Sequence, residues 1–458
     1  MRKAAVFLAL AATGCASMQP AYVRPDSAIP ASWPRGDAYL RQSEAALPAV
    51  TYRDIFRDPR LQALIEQALV NNRDLMVAAA NIAAAREQVR IQRANQFPQV
   101  DAGATVNATG SGSDASARYQ AGFSMPSFDI DLFGRLRSLT DVQRNRYFAT
   151  EAAARTTRLA LVSDIATAWL NHSADSSLLR IAEDTVTSAE KSVKLTRARL
   201  QGGIAPRTDL RQAEPSLEGA KADAADQRTA LAQDANLLRL LVGAEIDPKL
   251  LPASIDEAAP TVSELPAGLD SQILLRRPDV VQAEYQLRAA NAQIGAARAA
   301  LFPRISLTGL LGLASNALTS LFSGGAFAWS AGGDATYTIF QAGAGRANVR
   351  LTEAQKAAAV ATYQRTIQQA FREVSDALAR RGTIGEQVRA RQAQREAAAD
   401  TYLLTEARYR NGIDSFLGSL DAQRSYYAAQ RTLVLSRLEA ATNLVDLYRA
   451  LGGDSLIS

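Results

Sequence analysis

The chain has 458 residues, of which 47% are hydrophobic and 21% are charged. This composition excludes a disordered or collagen-like chain, and the length allows two or three ordinary domains or one large repeated assembly. The single cysteine, Cys15, excludes an intrachain disulfide, and the single histidine, His172, excludes a histidine-cluster metal site. The net charge of +5 comes from basic and acidic residues mixed along the chain. This pattern indicates solvated helix faces and no nucleic-acid partner.

The first fifteen residues have the organisation of a bacterial lipoprotein signal. Two basic residues precede a nine-residue apolar run, 4–12, which is too short to cross a bilayer as a helix. The run leads into Ala-Ala-Thr-Gly-Cys, which resembles a lipobox whose cysteine, Cys15, receives acyl chains. An ordinary secretory signal with an incidental cysteine is the alternative. Residues 16–57, rich in proline and polar residues, are predicted to be a linker from this anchor to the body of the protein.

The rest of the chain consists of two related halves. Residues 73–100 align without a gap with residues 278–305, and both segments end shortly after Phe-Pro. Each half then runs through two strand-like segments, a very long helix, a glycine turn and a second long helix. We therefore predict a first structural repeat at 58–257 and a second at 258–453, followed by a C-terminal tail at 454–458.

Strands are predicted after each Phe-Pro because apolar and polar residues alternate there. The alternation covers about 99–110 and 118–128 in the first half, and about 304–313 and 330–340 in the second. Transmembrane barrel strands show this pattern, and a half-buried soluble sheet would show it as well. No stretch of the mature chain reaches 18 consecutive apolar residues, so any membrane span would have to use these strands.

Long helical hairpins are predicted at 134–243 and 343–451. No proline interrupts 134–201 or 343–410, and an uninterrupted helix of roughly 68 residues would reach roughly 100 Å. Such a helix has to lie along other helices. Coiled-coil spacing of apolar residues supports this packing, as in Val186, Ala189, Val193, Thr196 and Leu200.

Four strands are too few to close a barrel, for which about eight are needed. The open edges of the sheet would have to pair with other copies of the chain. The predicted fold class is therefore a membrane β-barrel plus a long α-helical barrel, with four transmembrane strands, coiled-coil helices and an internal two-fold repeat in each chain. Two, three or four copies would close it.

Several motifs together resemble the outer membrane efflux proteins, the TolC-like outer membrane factors, and in particular their OprM/NodT-like lipoprotein branch. The motifs are Phe-Asp-Ile-Asp-Leu-Phe-Gly-Arg at 128–135, Arg-Arg-Pro-Asp at 276–279, the stretch 291–303 ending in Leu-Phe-Pro, and Arg-Tyr-Arg-Asn-Gly at 408–412 followed by Leu-Asp-Ala-Gln-Arg at 420–424.

This resemblance implies a homotrimer with a twelve-stranded barrel in the outer membrane and a helical barrel in the periplasm. Such proteins are passive exit ducts of tripartite efflux systems. They receive small molecules such as drugs from an inner-membrane pump, usually of the resistance-nodulation-division (RND) class, through a periplasmic adaptor, or membrane fusion, protein. The resemblance implies no enzymatic activity and no cofactor beyond the lipid on Cys15.

The family pattern also implies roles for individual residues. The periplasmic aperture matches Leu417, Asp421 and Arg424: rings of Leu417 and Asp421 would narrow it and favour cations, and Arg424 would pair across subunits. From the residues alone, the favoured interpretation of Asp421 and Arg424 is a solvated i,i+3 pair, and only the resemblance favours the aperture role.

The adaptor is expected to contact the two hairpin turns, which comprise Gly202, Gly203, Ile204 and Ala205, and Gly412, Ile413 and Asp414. From the residues alone, the glycines are left-handed helix stops, and Asp414 or Ser415 caps the following helix. Pro215 is expected to bend the second helix of the first hairpin.

Two other functions remain as alternatives. One is a type I protein secretion channel, and the other is a lipid-anchored periplasmic coiled-coil scaffold without a pore. An enzyme is not expected, because one histidine and one cysteine, with no phosphate-binding glycine loop, leave nothing on which to place a reaction.

Overall fold

The computed structural model describes residues 17–27, 29–30, 32–34, 51–111, 114–263 and 271–453. Cys15 and the tail at 454–458 lie outside these residues. The helices are α1 (Tyr52–Ile55), α2 (Pro59–Asn71), α3 (Arg73–Ala94), α4 (Arg135–Gln201), α5 (Arg207–Val242), α6 (Ile255–Ala258), α7 (Pro278–Ala299), α8 (Ala344–Arg410) and α9 (Phe416–Ala450). The strands are β1 (Asp101–Ser111), β2 (Asp114–Asp129), β3 (Arg304–Ser315) and β4 (Phe327–Thr336).

The chain divides into two compact units. The strand unit comprises Met1–Ser27, Ala80–Ala152 and Val281–Arg365, and it contains the whole sheet. The hairpin unit comprises Ala28–Ala79, Ala153–Val280 and Thr366–Ser458. None of the described helices combines the length and the apolar character needed to cross a membrane.

The sheet is antiparallel throughout, in the order β1-β2-β3-β4. The central β2–β3 pair joins the two sequence halves, with Phe123 opposite Leu311. The register of this pair shifts between Met125 and Phe128, where Pro126 has no N–H to donate to the ladder.

One face of the sheet is apolar across all four strands, and it is exposed in the protomer. Phe123 of β2 is 60% exposed, while Phe327 and Trp329 of β4 are 65% and 70% exposed. The pairing register brings the following side chains to this face: Ala102, Ala104 and Val106 of β1, Tyr119, Ala121 and Phe123 of β2, Leu307, Leu311 and Leu313 of β3, and Phe327, Trp329 and Ala331 of β4. The opposite face is largely polar or small, with residues such as Thr105, Gln120, Ser124, Thr308 and Ser330.

The observed strand ends differ from the predicted ones. The strand expected at about 118–128 is longer, because β2 continues the β1 ladder back to Asp114. The strand expected at about 330–340 is observed at Phe327–Thr336. It ends there because Thr336 pairs with Arg304, the first residue of β3 after Pro303. Tyr337 and Ile339, which continue the alternation in sequence, are therefore exposed residues beyond the sheet.

The segment expected to be a linker makes specific contacts where the structure describes it. In the strand unit, Arg24 pairs with the buried Glu284 of α7, which also binds Arg288 at 2.7 Å. In the hairpin unit, Tyr52, Ile55 and other residues of α1 and α2 belong to the main apolar core. Apolar and ionic contacts thus hold the described parts of 16–57 against the rest of the protein. Composition alone did not reveal these contacts.

The helices of the hairpin unit bury many of the positions predicted from coiled-coil spacing, whereas Val186 and Leu200 of α4 are only half-buried. Ala189, Val193 and Thr196 of α4 are buried. The same holds for Ala213, Ala220 and Ala224 of α5, and for Leu420, Val434, Ala441 and Tyr448 of α9. The many alanines allow close approach of the helices, as their spacing predicted.

The main core of the hairpin unit lies where α4 and α9 meet the short helices. Trp169 of α4 is fully buried, and its indole N–H donates to the carbonyl oxygen of Leu250 at 3.0 Å. Phe56 packs edge-on against Tyr448 of α9 at a centroid distance of 5.4 Å. Burial of such large aromatic side chains supplies a major part of the apolar stabilisation of this unit.

Candidate functional site: the hairpin turns and the first turn of α9

The first hairpin turn ends α4 with a left-handed glycine. Gly203 has φ +72°, and a Cβ built on it would meet no atom within 4 Å. The N–H of Ile204 donates to the carbonyl oxygen of Arg199 at 2.9 Å, and the N–H of Gly203 donates to that of Leu200 at 3.0 Å. These two bonds form a Schellman motif, which satisfies carbonyls at the helix end.

The second hairpin turn repeats this geometry at the end of α8. Gly412 has φ +75°, and the N–H of Ile413 donates to the carbonyl oxygen of Arg408 at 2.9 Å. The prediction that glycine stops both helices in the left-handed conformation is therefore confirmed. Because both glycines have open space, backbone conformation and not steric room requires glycine here.

Each turn presents an exposed isoleucine directly after its left-handed glycine. Ile204 is 78% exposed and Ile413 is 63% exposed. Both apolar side chains are therefore open to solvent in the protomer.

The two turns differ in the contacts that their equivalent arginines, Arg199 and Arg408, make. In the second turn, Arg408 binds both carboxylate oxygens of Asp414, at 2.6 and 3.0 Å. This hydrogen bonding and the opposite charge lower the pKa of Asp414 and raise that of Arg408.

The expected capping role of Asp414 or Ser415 is wrong. Ser415 occupies the N-cap of α9 without a side-chain hydrogen bond, and the Asp414 carboxylate is held by Arg408.

In the first turn, the corresponding arginine reaches across to the other hairpin. The guanidinium of Arg199 lies over the ring of Tyr409, 4.5 Å from its centroid, and donates to the carbonyl oxygen of Arg410 at 3.0 Å. A cation–π contact of this kind contributes about 0.5–1 kcal/mol where it is exposed. Arg199 therefore connects the first turn to the second through its contacts with Tyr409 and Arg410.

A small apolar cluster beneath the turns joins all four hairpin helices. It consists of Val193 of α4, Ala213 of α5, Tyr409 of α8, and Phe416 and Leu420 of α9. Tyr409 and Phe416 lie 5.4 Å apart between ring centroids. This cluster holds the start of α9 in a fixed position beside the first turn.

Tyrosine hydroxyls add polar contacts between the hairpins further along the helices. The hydroxyls of Ser188 and Tyr402 lie 2.7 Å apart, and Tyr427 of α9 donates to Asp223 of α5 at 2.9 Å. Burial, together with the hydrogen bond and charge of Asp223, raises the pKa of Tyr427 to about 12. Tyr427 is thus a hydrogen-bond donor at physiological pH.

The three predicted aperture residues form one exposed stripe on the first two turns of α9. Leu417 is 50% exposed, and the side chains of Asp421 and Arg424 are 64% and 56% exposed. Arg424 and Asp421 approach each other to 3.9 Å within the chain. Their neighbours Phe416 and Leu420 face the apolar cluster, so the stripe points away from the core of the hairpin unit.

Some contacts of this site could not be read from the sequence. Arg199 and Tyr409 are separated by 210 positions, and nothing in their local patterns couples them. The one available signal was the recurrence of Arg four residues before each turn glycine, at Arg199 and Arg408.

In the part of the chain that the structure describes, no three His, Cys, Asp or Glu residues group in a way that could hold a metal ion.

Comparison with known proteins agrees with this architecture. The family model for the outer membrane efflux protein matches residues 64–244 and 269–453. The chain is 43% identical to the "Probable efflux pump outer membrane protein TtgC" of Pseudomonas putida, with 99% of this chain and 96% of that protein covered. It is 39% identical to the outer membrane protein OprJ of Pseudomonas aeruginosa, covering 98% and 95% of the two chains.

The fold also matches solved outer membrane channels. The crystal structure of the open state of the Neisseria gonorrhoeae MtrE outer membrane channel superposes with a TM-score of 0.86. The two sequences are 34% identical, and the match covers 96% of this chain and 98% of that one. The chain therefore belongs to the outer membrane efflux protein family, whose members are channels of the outer membrane.

Proposed function

We propose that the chain is one protomer of a homotrimeric outer membrane exit duct of a tripartite efflux system. It conducts small molecules such as drugs passively from an inner-membrane pump, of the RND class, through a periplasmic adaptor to the exterior. The observation that carries this proposal is the sheet. Its exposed apolar face runs across four strands, and its other face is polar.

Three copies of this sheet supply twelve strands, which is enough to close a barrel. Closure pairs β1 of one copy with β4 of the next and turns the apolar face to lipid and the polar face to the lumen. A lipid on Cys15 would add a second attachment to the outer membrane. The protein needs no cofactor and performs no reaction, since the pump supplies the driving force.

The adaptor is proposed to bind the two turns. Ile204 and Ile413 supply exposed apolar contacts, and Gly202, Ala205 and Asp414 flank them. A matched pair of charge substitutions tests this. Ile204→Glu and Ile413→Glu should abolish crosslinking to the adaptor, whereas Arg207→Glu, at an exposed position after the first turn, should not. Equal crosslinking in all three variants would place the adaptor elsewhere.

The aperture is proposed to be formed by Leu417, Asp421 and Arg424 around the three-fold axis. Their exposure on one stripe of α9 supports this, because that stripe is free to face the same stripe of two other copies. Asp421→Ala in planar bilayers should reduce cation preference and change conductance. Asp226→Ala, which removes an exposed carboxylate of α5, is the control. Unchanged cation preference in Asp421→Ala would move the constriction to other residues.

Deletion of the chain, followed by a susceptibility panel of drugs, dyes, organic acids and metals, tests the function as a whole. Increased susceptibility that the wild-type gene restores is expected. If no compound shows a change while a secreted protein accumulates in the cell, the chain is a type I secretion channel. If neither changes and the protein is extracted without detergent once its lipid is lost, it is a scaffold without a pore.

A further inference from the structure

The two outer strands of the sheet each have one open edge among the described strands. β1 and β4 stand at the two ends of the strand order, so each pairs with one strand of its own chain. The outer N–H and C=O groups of such strands are a template for a further strand. The proposed ring places β4 of one copy beside β1 of the next, and the sheet itself restricts how these two strands can be aligned.

The first restriction is the face on which each side chain lies. The apolar face has even-numbered residues in β1, such as Ala104 and Val106, and odd-numbered residues in β4, such as Trp329 and Ala331. Residues directly opposite each other in a sheet lie on the same face. An even-numbered residue of β1 therefore has to face an odd-numbered residue of β4. A slip by one residue would turn the apolar side chains of one strand to the lumen.

The second restriction is the direction of the hydrogen bonds across the sheet. Ala104 of β1 lies opposite Ala121 of β2. Ala121 lies opposite Leu313 of β3, and Leu313 lies opposite Phe327 of β4. Ala104 is near the start of β1, at the end of the sheet that follows the helices, whereas Phe327 is at the other end, beside the loop between β3 and β4. A line along the hydrogen bonds thus climbs from one end of the sheet to the other.

Symmetry determines where this line enters the next copy. In a ring of identical copies, the corresponding strand ends of all copies lie at the same height. Phe327 begins β4 at the loop end, so it has to face a residue at the loop end of the next β1. With the face restriction, this residue is Gly110, six positions further along β1 than Ala104. All ten residues of β4 then face residues of β1, and the last pair is Thr336 opposite Asp101.

Strand tilt and pairing separate this alignment from its neighbours. A rise of six residues, about 20 Å, over four strands that span about 19 Å tilts the strands by about 46°, close to the about 35–45° typical of barrels. A rise of eight residues would need about 54°, which is outside that range. A rise of four residues gives about 35°. It would however place Ala335 and Thr336 beyond the start of β1, and Tyr337 opposite Pro98, which has no N–H to donate.

Two exposed side chains beside the sheet support the rise of six residues. Val100 directly precedes β1 and is 64% exposed, and Tyr337 directly follows β4 and is 58% exposed. Both lie outside the strand pairs of the protomer. A rise of six residues sets Tyr337 opposite Val100 on the apolar face, and an aromatic side chain opposite a β-branched one is a favourable cross-strand pair. The alternation that continues after Thr336 in the sequence then has a partner in the next copy.

We propose that β4 of one protomer pairs with β1 of the next in an antiparallel register in which Phe327 lies opposite Gly110. The register continues past the end of β4 to Tyr337 opposite Val100. The partner is a second copy of this chain, and the inference rests on the proposed ring. It adds the residues that meet at each junction and the tilt that they impose on the strands.

Pairs of cysteines in the full-length chain test the register. Opposite Cβ atoms in a sheet lie about 4.5–5.5 Å apart and diagonal ones about 7–8 Å apart, whereas a disulfide needs about 3.5–4.5 Å. Ala104→Cys with Gly333→Cys places two thiols opposite each other in the proposed register. Ala104→Cys with Ala331→Cys and Ala104→Cys with Ala335→Cys are matched controls, displaced by two residues in either direction. Under mild oxidation the first pair should link neighbouring chains at least about tenfold faster than either control, as measured by denaturing electrophoresis.

Single variants test whether the two different edges meet. The unmodified chain, which keeps Cys15, sets the background. Ala104→Cys alone and Gly333→Cys alone should link no more than this background. Faster linkage in Ala104→Cys alone would mean that two copies of β1 meet, which would overturn the proposal.

Circular dichroism and light scattering in detergent check the fold and the copy number of every variant. If Gly333→Cys does not fold, Val106→Cys with Ala331→Cys measures the same register, with Val106→Cys and Trp329→Cys as its displaced control. Faster linkage in a displaced control would overturn the register and leave the proposed ring intact. Absence of linkage in every pair of a trimeric protein would overturn the junction itself. A monomeric wild-type protein would contradict the proposed function, and the register with it.

Discussion

The two hairpins share their framework and differ in their contents. Each has a 67-residue helix that ends in a Schellman motif with a left-handed glycine, followed by a shorter returning helix. Their returning helices are used differently. In α9, large side chains such as Phe416, Leu444 and Tyr448 are buried, whereas α5 buries mainly alanines and leaves Leu237 and Leu240 exposed.

This difference shows that an internal repeat conserves backbone geometry more strictly than it conserves burial. The second hairpin supplies the packed framework, because α9 contributes to both the main core and the cluster beneath the turns. The first hairpin carries the one proline within a returning helix, Pro215 of α5. Pro215 is helical on both sides, and the bend expected there stays a prediction.

The largest expected effect tests the difference in burial between the returning helices. Leu444→Ala in α9 should cost about 2–5 kcal/mol, because it leaves a cavity in a closed core. Leu240→Ala in α5, where the side chain is 74% exposed, should change stability by less than about 0.5 kcal/mol. Denaturant unfolding of the purified protein in detergent measures both. A large loss in Leu240→Ala would mean that the outer face of α5 is covered in the assembly.

The next effect tests the shared turn geometry. Gly203→Ala and Gly412→Ala should each cost about 1–2 kcal/mol, because an L-residue is disfavoured at positive φ. The two losses should be similar if the turns are equivalent. Gly219→Ala in α5, where a Cβ meets nothing within 4 Å, should instead stabilise the helix by up to about 1 kcal/mol. A neutral result for either turn glycine would contradict the left-handed assignment.

A smaller effect separates the two equivalent arginines. Arg199→Ala should cost about 0.5–1 kcal/mol and show coupling to Tyr409→Leu in a double-mutant cycle, since it removes the cation–π contact. Arg408→Ala removes only the pair with Asp414 and should show no coupling to Tyr409→Leu. Equal coupling for both arginines would mean that Arg199 does not tie the turns together.

The smallest effect concerns the aperture stripe. Arg424→Ala should change the stability of the chain by only a few tenths of a kcal/mol, because the Asp421–Arg424 pair is exposed and its N–O distance is 3.9 Å. Thermal unfolding of the variant measures this effect. A stability loss above about 1 kcal/mol would show that Arg424 pairs with another subunit in the assembled protein.

The sequence predicted whatever depends on local periodicity. Glycine and proline placement located both helix ends near Gln201 and Arg410, and alternation located all four strands within a few residues. Their exact ends depend on pairing partners, as the register of Thr336 with Arg304 shows. Contacts between distant segments could not be predicted, since nothing near Arg199 or Tyr409 in sequence indicates that the two side chains meet.

The edge strands have a consequence for inheritance. β1 and β4 lie at the two ends of the sheet order, so each protomer offers one edge to each neighbour. If three copies close the ring as proposed, a single copy with a damaged edge leaves one junction unpaired, and one unpaired junction is enough to leave the ring open. A cell that makes equal amounts of intact and edge-defective chain would then assemble only about one intact ring in eight. Mutations that block β1 or β4 should therefore be dominant, whereas mutations that unfold the chain before assembly should be recessive.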